Sequence, residues 1–204
     1  MTFERGLIMN LPNKLSTFRI ILIPIMLIFM IPIPGADSWN IFLNKYGMIF
    51  AVIIFITASL TDYFDGKIAR KRNLVTNLGK FLDPIADKLL VISAFIAFAS
   101  LGRLTAWFPI IILFREFIVT GVRTIAASKG VIVAAKMFGK IKATLQMIAI
   151  IALMIEHILI VNIGHSAFTN TLTILINVIL VLTVIITILS GLTYITDNKS
   201  LLTE

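Results

Sequence analysis

Ten acidic residues occur in the chain, and four of them, Asp62, Asp65, Asp83 and Asp87, crowd into one short stretch. Asp62 and Asp65 are three apart and Asp83 and Asp87 four apart, so on helices each pair shares one face. The segment between the pairs, KIARKRNLVTNLGK, is polar and basic enough to be a turn, which makes the two helices antiparallel neighbours. A hairpin folded near residue 74 then puts Asp65 level with Asp83, and Asp62 level with Asp87. A carboxylate at the centre of a bilayer costs roughly 2.5–3.5 kcal/mol, and four at one depth repel one another as well. Oxygen ligands without His or Cys suit a hard divalent cation, and four negative charges match two Mg2+ or Mn2+ ions. Two metals bridged by carboxylates are a recurrent device for phosphoryl-type transfer. Lys67, Arg70 and Lys88 offer another way to neutralise the cluster, as a salt-bridged scaffold, and an ion relay in a transporter is a third reading. Gly66, Ala69 and Gly79 leave little side-chain bulk beside the acidic pairs. That suits the approach of phosphate and a planar base, although small residues also let membrane helices pack closely.

The elements that must hold these residues are membrane helices. Of the 204 residues, 59% are hydrophobic and only 14% charged, far from the soluble norm of about a quarter charged. Apolar stretches near the ~20 residues needed to cross a bilayer lie at about 16–34, 46–66, 84–101, 105–127, 141–161 and 170–195. The expected fold is an all-α integral membrane protein of six transmembrane helices, one domain over 1–204, with short loops and tails. With both termini cytoplasmic, only Lys45 and Arg103 among the 18 lysines and arginines fall outside, as the positive-inside rule asks. The acidic cluster then lies in a polar cavity at the inner membrane edge. The net charge of +8 forms a one-sided basic face, suited to anionic headgroups or phosphorylated ligands rather than to nucleic acid. A cleaved leader is not expected, because the first apolar run is long for a signal peptide. The absence of cysteine excludes disulfide, zinc-thiolate and thiol-nucleophile chemistry.

The run Asp62-Tyr-Phe-Asp65-Gly66-Lys-Ile-Ala69-Arg70, followed by Gly79-Lys-Phe-Leu-Asp83-Pro-Ile-Ala-Asp87, resembles the D-x-x-D-G-x-x-A-R…G-x-x-x-D-x-x-x-D signature of the CDP-alcohol phosphotransferases at every fixed position. The resemblance implies a six-helix membrane bundle, usually a homodimer, that transfers a phosphoalcohol from a CDP-linked donor to an acceptor hydroxyl with loss of CMP. It implies that Asp62, Asp65, Asp83 and Asp87 hold two divalent cations, Mg2+ or Mn2+, with Asp87 also the general base that takes the acceptor's proton. It further implies that Asp62, Gly66, Ala69, Arg70, Gly79 and Asn13 meet the nucleotide.

Three further segments bear on the acceptor. MNLPNKLSTFRI (9–20), FREFIVTGVR (114–123) and GKIKATLQM (139–147) resemble stretches of the bacterial members that use CDP-diacylglycerol as donor and sn-glycerol 3-phosphate as acceptor. Ser16 stands where threonine is usual, and Ala143 delays a threonine to Thr144. These resemblances cover most of residues 9–147, and the C-terminal span is uninformative. Arg115, Arg123, Lys140 and Lys142 form the basic cluster expected to hold the acceptor phosphate, each adding a charge-assisted hydrogen bond. Arg115 and Glu116 inside an apolar helix also read as a structural ion pair, and inositol phosphate is an alternative acceptor with the same need for cations. His157 and His165, and the aromatic residues Trp39, Tyr46 and Trp107, suit the outer interface and no catalytic role. The expected location is the cell membrane, with the active site facing the cytoplasm.

Overall fold

The computed structural model describes residues 11–72, 77–131 and 137–199; for 11–13, 62–72, 77–81 and 138 the description covers the backbone alone. All regular structure among the described residues is helical: α1 (Leu11–Met30), α2 (Asp37–Phe42), a π-helical turn (Leu43–Gly47) running into α3 (Met48–Arg72), α4 (Asn77–Ser100), α5 (Trp107–Ser128), α6 (Met137–Ile163) and α7 (Ala167–Asp197). Three continuous ranges among the described residues, 37–61, 139–163 and 167–197, are long and apolar enough to cross a membrane. The first span ends at Met30 rather than near residue 34. Pro32 and Pro34 explain the early stop, since the residue before a proline is pushed out of the helical region.

The coordinates divide into two compact units, Met1–Ser93 and Ala94–Glu204. In the first, α1 packs along α3. Its buried positions are Ser16, Arg19, Ile23, Met26 and Met30, and those of α3 are Met48, Ala51, Phe55 and Ala58. Both series alternate steps of three and four, the spacing of one helix face. Two contacts fix an antiparallel register. Gly47 lies so close to α1 that an added Cβ would stand 2.4 Å from the Phe29 carbonyl oxygen, and Arg19 Nε donates to the Ala58 carbonyl at 3.2 Å. Phe29, Trp39, Phe42 and Phe50 stack at the Gly47 end, with ring centroids 5.1–5.9 Å apart.

In the second unit, α7 packs against both α5 and α6. Gly164 ends α6 with φ +78°, a left-handed conformation that costs glycine no Cβ clash. Ser166 then caps α7: its Oγ accepts from Thr169 N at 3.3 Å, and its own N–H donates to Thr169 Oγ1 at 2.8 Å. This reciprocal capping box satisfies two backbone donors and turns the chain back so that α6 and α7 run antiparallel. Arg103, just beyond α4, reaches Glu156 of α6 through two bonds of 2.8 and 3.0 Å, and Asn177 of α7 at 3.0 Å. Thr173 donates to the same carboxylate at 2.6 Å, so the nearly inaccessible Glu156 is met on every side the described residues offer.

Candidate active site

Asp62 and Asp65 fall on α3, and Asp83 and Asp87 on α4. The side chains of Asp62, Asp65, Gly66, Ala69, Arg70, Gly79 and Asn13 lie outside the described residues. Asp83 is half-buried and Asp87 exposed. Asp83 stands three residues before the buried Ala86 and seven before the buried Leu90, so it continues the inward stripe of α4. Among the described residues no three His, Asp or Glu side chains gather into a metal-sized group, and only two of the four aspartates have described side chains.

The contacts of Asp83 explain its placement. The Ser16 hydroxyl, fully buried on α1, donates to Asp83 Oδ1. Ser16 must be the donor, because an ionised carboxylate only accepts. One turn further along the same face of α1, the fully buried Arg19 donates to Ala58 of α3. Extending the α1–α3 register by one turn, from Arg19 to Ser16 and from Ala58 to position 62, brings Ser16 to the level of position 62. Ser16 thus stands where the acidic stretch of α3 arrives and bonds directly to the acidic face of α4. Ser16 and Arg19 lie in the resembling stretch 9–20, but neither is among the site residues that the sequence leads one to expect. The available signal was two polar residues on an otherwise apolar inward stripe.

The proposed acceptor cations occupy the second unit. Glu116 Oε1 accepts from Arg115 Nη1 at 3.1 Å and from Lys142 Nζ, and Arg115 Nη2 donates to Ser190 Oγ at 2.5 Å. All three charged side chains are about nine-tenths inaccessible. Gly191 makes room for the arginine: a Cβ there would stand 3.2 Å from Arg115 Cγ. The ion-pair reading of Arg115 and Glu116 therefore holds, and Lys142 joins it as a second cation. Arg123 lies two turns beyond Arg115, about 12 Å along the helix; it is exposed and donates to the Tyr194 hydroxyl at 3.0 Å. Lys140 is exposed on α6. Gln146, one turn after Lys142, is buried, and its Nε2 has no partner among the described residues. A groove of about 360 Å³ runs along α5 and α7, lined by Ile110, Phe114, Ile188 and Leu192 with Arg115 and Thr187 at its floor. The C-terminal span, uninformative as sequence, supplies Ser190, Gly191 and Tyr194 as the partners of both arginines.

Chemically, the first unit offers the Asp83 carboxylate, held by a buried hydroxyl. The second offers buried cations balanced by one carboxylate. Over residues 9–191 the sequence matches the CDP-alcohol phosphatidyltransferases.

The chain belongs to that family.

It is 47% identical over 153 residues to the CDP-diacylglycerol–glycerol-3-phosphate 3-phosphatidyltransferase of Bacillus subtilis, a match covering 73% of this chain and 78% of that protein. The protein of the same name from Rickettsia typhi is 43% identical over 142 residues, covering 69% and 74%. The probable phosphatidylglycerophosphate synthase of Mycobacterium tuberculosis is 39% identical over 146 residues, covering 72% and 66%. As a CDP-alcohol phosphatidyltransferase the chain matches its family across both acidic pairs and the Arg115–Glu116–Lys142 group alike.

Proposed function

We propose that the protein transfers the phosphatidyl group of CDP-diacylglycerol to sn-glycerol 3-phosphate, giving phosphatidylglycerophosphate and CMP in anionic phospholipid synthesis. The observation that carries this reading is the 47% identity over nearly three quarters of the chain to an enzyme named for that reaction. The donor's acyl chains stay in lipid while its cytidine diphosphate reaches the acidic stretch. A primary hydroxyl of sn-glycerol 3-phosphate attacks the phosphorus that bears the diacylglycerol. The new P–O bond forms as the bond to CMP breaks, and CMP leaves with the electron pair. Asp87, exposed on α4, takes the hydroxyl proton.

An all-carboxylate donor set fits hard divalent cations and disfavours softer ones. Asp62, Asp65, Asp83 and Asp87 would hold two, Mg2+ or Mn2+, which would offset charge on the diphosphate and on departing CMP. Asn13, Gly66, Ala69, Arg70 and Gly79 are assigned to the nucleotide. Arg115, Arg123, Lys140 and Lys142 are assigned to the acceptor phosphate, with Glu116 setting the net charge of the buried part of that group. In this reading the six long helices are six membrane spans, both termini and the active site face the cytoplasm, and the enzyme works as a homodimer in the cell membrane.

The test is CMP release by the purified protein from CDP-diacylglycerol, with Mg2+ or EDTA, and with sn-glycerol 3-phosphate, inositol phosphate or serine as acceptor. Metal-dependent release with sn-glycerol 3-phosphate alone is expected. Release with inositol phosphate instead would keep the chemistry and overturn the acceptor. No release from folded protein with any acceptor would overturn the reaction.

A further inference from the structure

We propose that Ser16 is a positioning residue for the metal centre: its hydroxyl fixes the plane of the Asp83 carboxylate so that the aspartate is preset to receive a divalent cation. The inference rests on the reading of Asp83 as a metal ligand and adds a residue from a helix that carries none of the four aspartates.

Three observations carry it. First, Ser16 is fully buried and donates to Asp83 Oδ1. A buried hydroxyl is costly unless it is bonded, and this bond spends it on a carboxylate 67 residues away in the chain. Second, among the described residues the inward face of α1 is apolar at Ile23, Met26 and Met30 and polar at Ser16 and Arg19. The polar pair sits at the end of α1 that comes level with position 62, away from the apolar end seated on Gly47. Third, Arg19 ties α1 to the Ala58 carbonyl of α3, one turn before position 62. The helix bearing Ser16 is therefore held in register with α3 while its hydroxyl reaches α4.

The physical consequence is preorganisation. A carboxylate on a free side chain rotates about its terminal torsion, and ordering it is part of the cost of binding a cation. A hydroxyl fixed in a buried stripe removes that freedom before the cation arrives. Partners of this kind, bonded to a ligand rather than to the metal, typically contribute 10–100-fold to metal affinity. Threonine keeps the same hydroxyl, whereas alanine and valine do not.

The experiment is Mn2+ titration of the purified full-length protein, with free Mn2+ read from its paramagnetic resonance signal, on wild type, Ser16→Ala and Ser16→Thr. Mg2+ activation of CMP release is measured in parallel. The expected result is a Mn2+ dissociation constant raised about 10-fold in Ser16→Ala and close to wild type in Ser16→Thr. The Mg2+ needed for half-maximal release rises by a similar factor, with the rate largely regained at saturating Mg2+. A structural role alone would lower the rate at every Mg2+ concentration and leave Mn2+ affinity unmoved, and that result overturns the proposal. If Ser16→Ala folds poorly, Ser16→Thr against Ser16→Val compares one shape with and without the hydroxyl, and equal Mn2+ affinities there overturn it too. Wild-type protein that releases CMP yet binds no Mn2+ would instead refute the metal reading of the aspartates, and the proposal with it.

Discussion

Replacing Glu116 with Gln removes the one carboxylate shared by two buried cations. The change keeps the side chain's shape, so its cost is electrostatic. Arg115 keeps its bond to Ser190, but Lys142, only 7% exposed, loses the carboxylate that faces it. Breaking a buried ion pair by deleting one partner costs about 3–5 kcal/mol, because the other charge is left in a poorly polarisable place. For a chain of this size that corresponds to a fall in melting temperature of roughly 6–20 °C. Lys142→Met is the informative comparison: Glu116 then still holds Arg115 at 3.1 Å, and the loss is nearer that of one charged hydrogen bond, about 1.5–3 kcal/mol. Combined, the two substitutions should cost less than their sum by at least about 1 kcal/mol, since the lysine whose ion pair the first breaks is removed by the second. The assay is thermal unfolding of all four proteins in one detergent. Additivity within about 0.5 kcal/mol, or a Glu116→Gln protein as stable as wild type, would refute the shared-carboxylate arrangement.

Lys142→Met should also raise the KM for sn-glycerol 3-phosphate roughly ten- to a hundredfold, the kinetic equivalent of one charged hydrogen bond, and leave the KM for CDP-diacylglycerol unchanged. Equal effects on both KM values would remove Lys142 from the acceptor site. Glu156→Gln should lower stability by about 2–3 kcal/mol, below the full buried-pair cost because the Arg103 side chain is 27% exposed. CMP release should persist in that variant, because Glu156 lies fourteen residues along α6 from Lys142, about 21 Å at the helical rise. Gly47→Ala should destabilise by about 1–3 kcal/mol, since its Cβ would stand 2.4 Å from a backbone oxygen that cannot swing aside. Gly121→Ala meets nothing within 4 Å and should be neutral or gain up to about 1 kcal/mol from helix propensity. Melting curves check both glycines, and equal losses at the two positions would contradict the packing of the π-helical turn on α1.

The acidic pairs were legible because spacing alone tells which residues share a helix face, and the charges stand out in an apolar chain. Membrane character was legible for the same reason. What spacing does not give is which residues from distant helices meet. Ser16 and Asp83 are 67 positions apart, and a lone serine in an apolar span reads as packing until its partner is known. The ion pair of Arg115 with Glu116 could be read from adjacency, but the arrival of Lys142 depends on how α6 is placed beside α5. Ser190 and Gly191 on α7 were invisible for a subtler reason: in a hydrophobic helix they look like ordinary small residues, and only the arginine lodged against them gives them a role.

That distribution of polar residues has a consequence for how the helices divide their work. The long ranges that pass as plainly apolar, 37–61, 139–163 and 167–197, are those whose interior charges are few. Helix α4 carries Lys80, Asp83, Asp87 and Lys88, and α5 carries Arg115, Glu116 and Arg123. Their lower apolarity follows from their content, because each charge in a membrane segment has a cost that must be offset by a partner. In α5, Glu116 and Ser190 bond Arg115, and Tyr194 bonds Arg123. On α4, Asp83 accepts from the neutral Ser16 hydroxyl. A hydroxyl orients such a carboxylate but carries no charge to offset it, so the cost of holding an ionised Asp83 in an apolar helix is met by groups beyond that one bond.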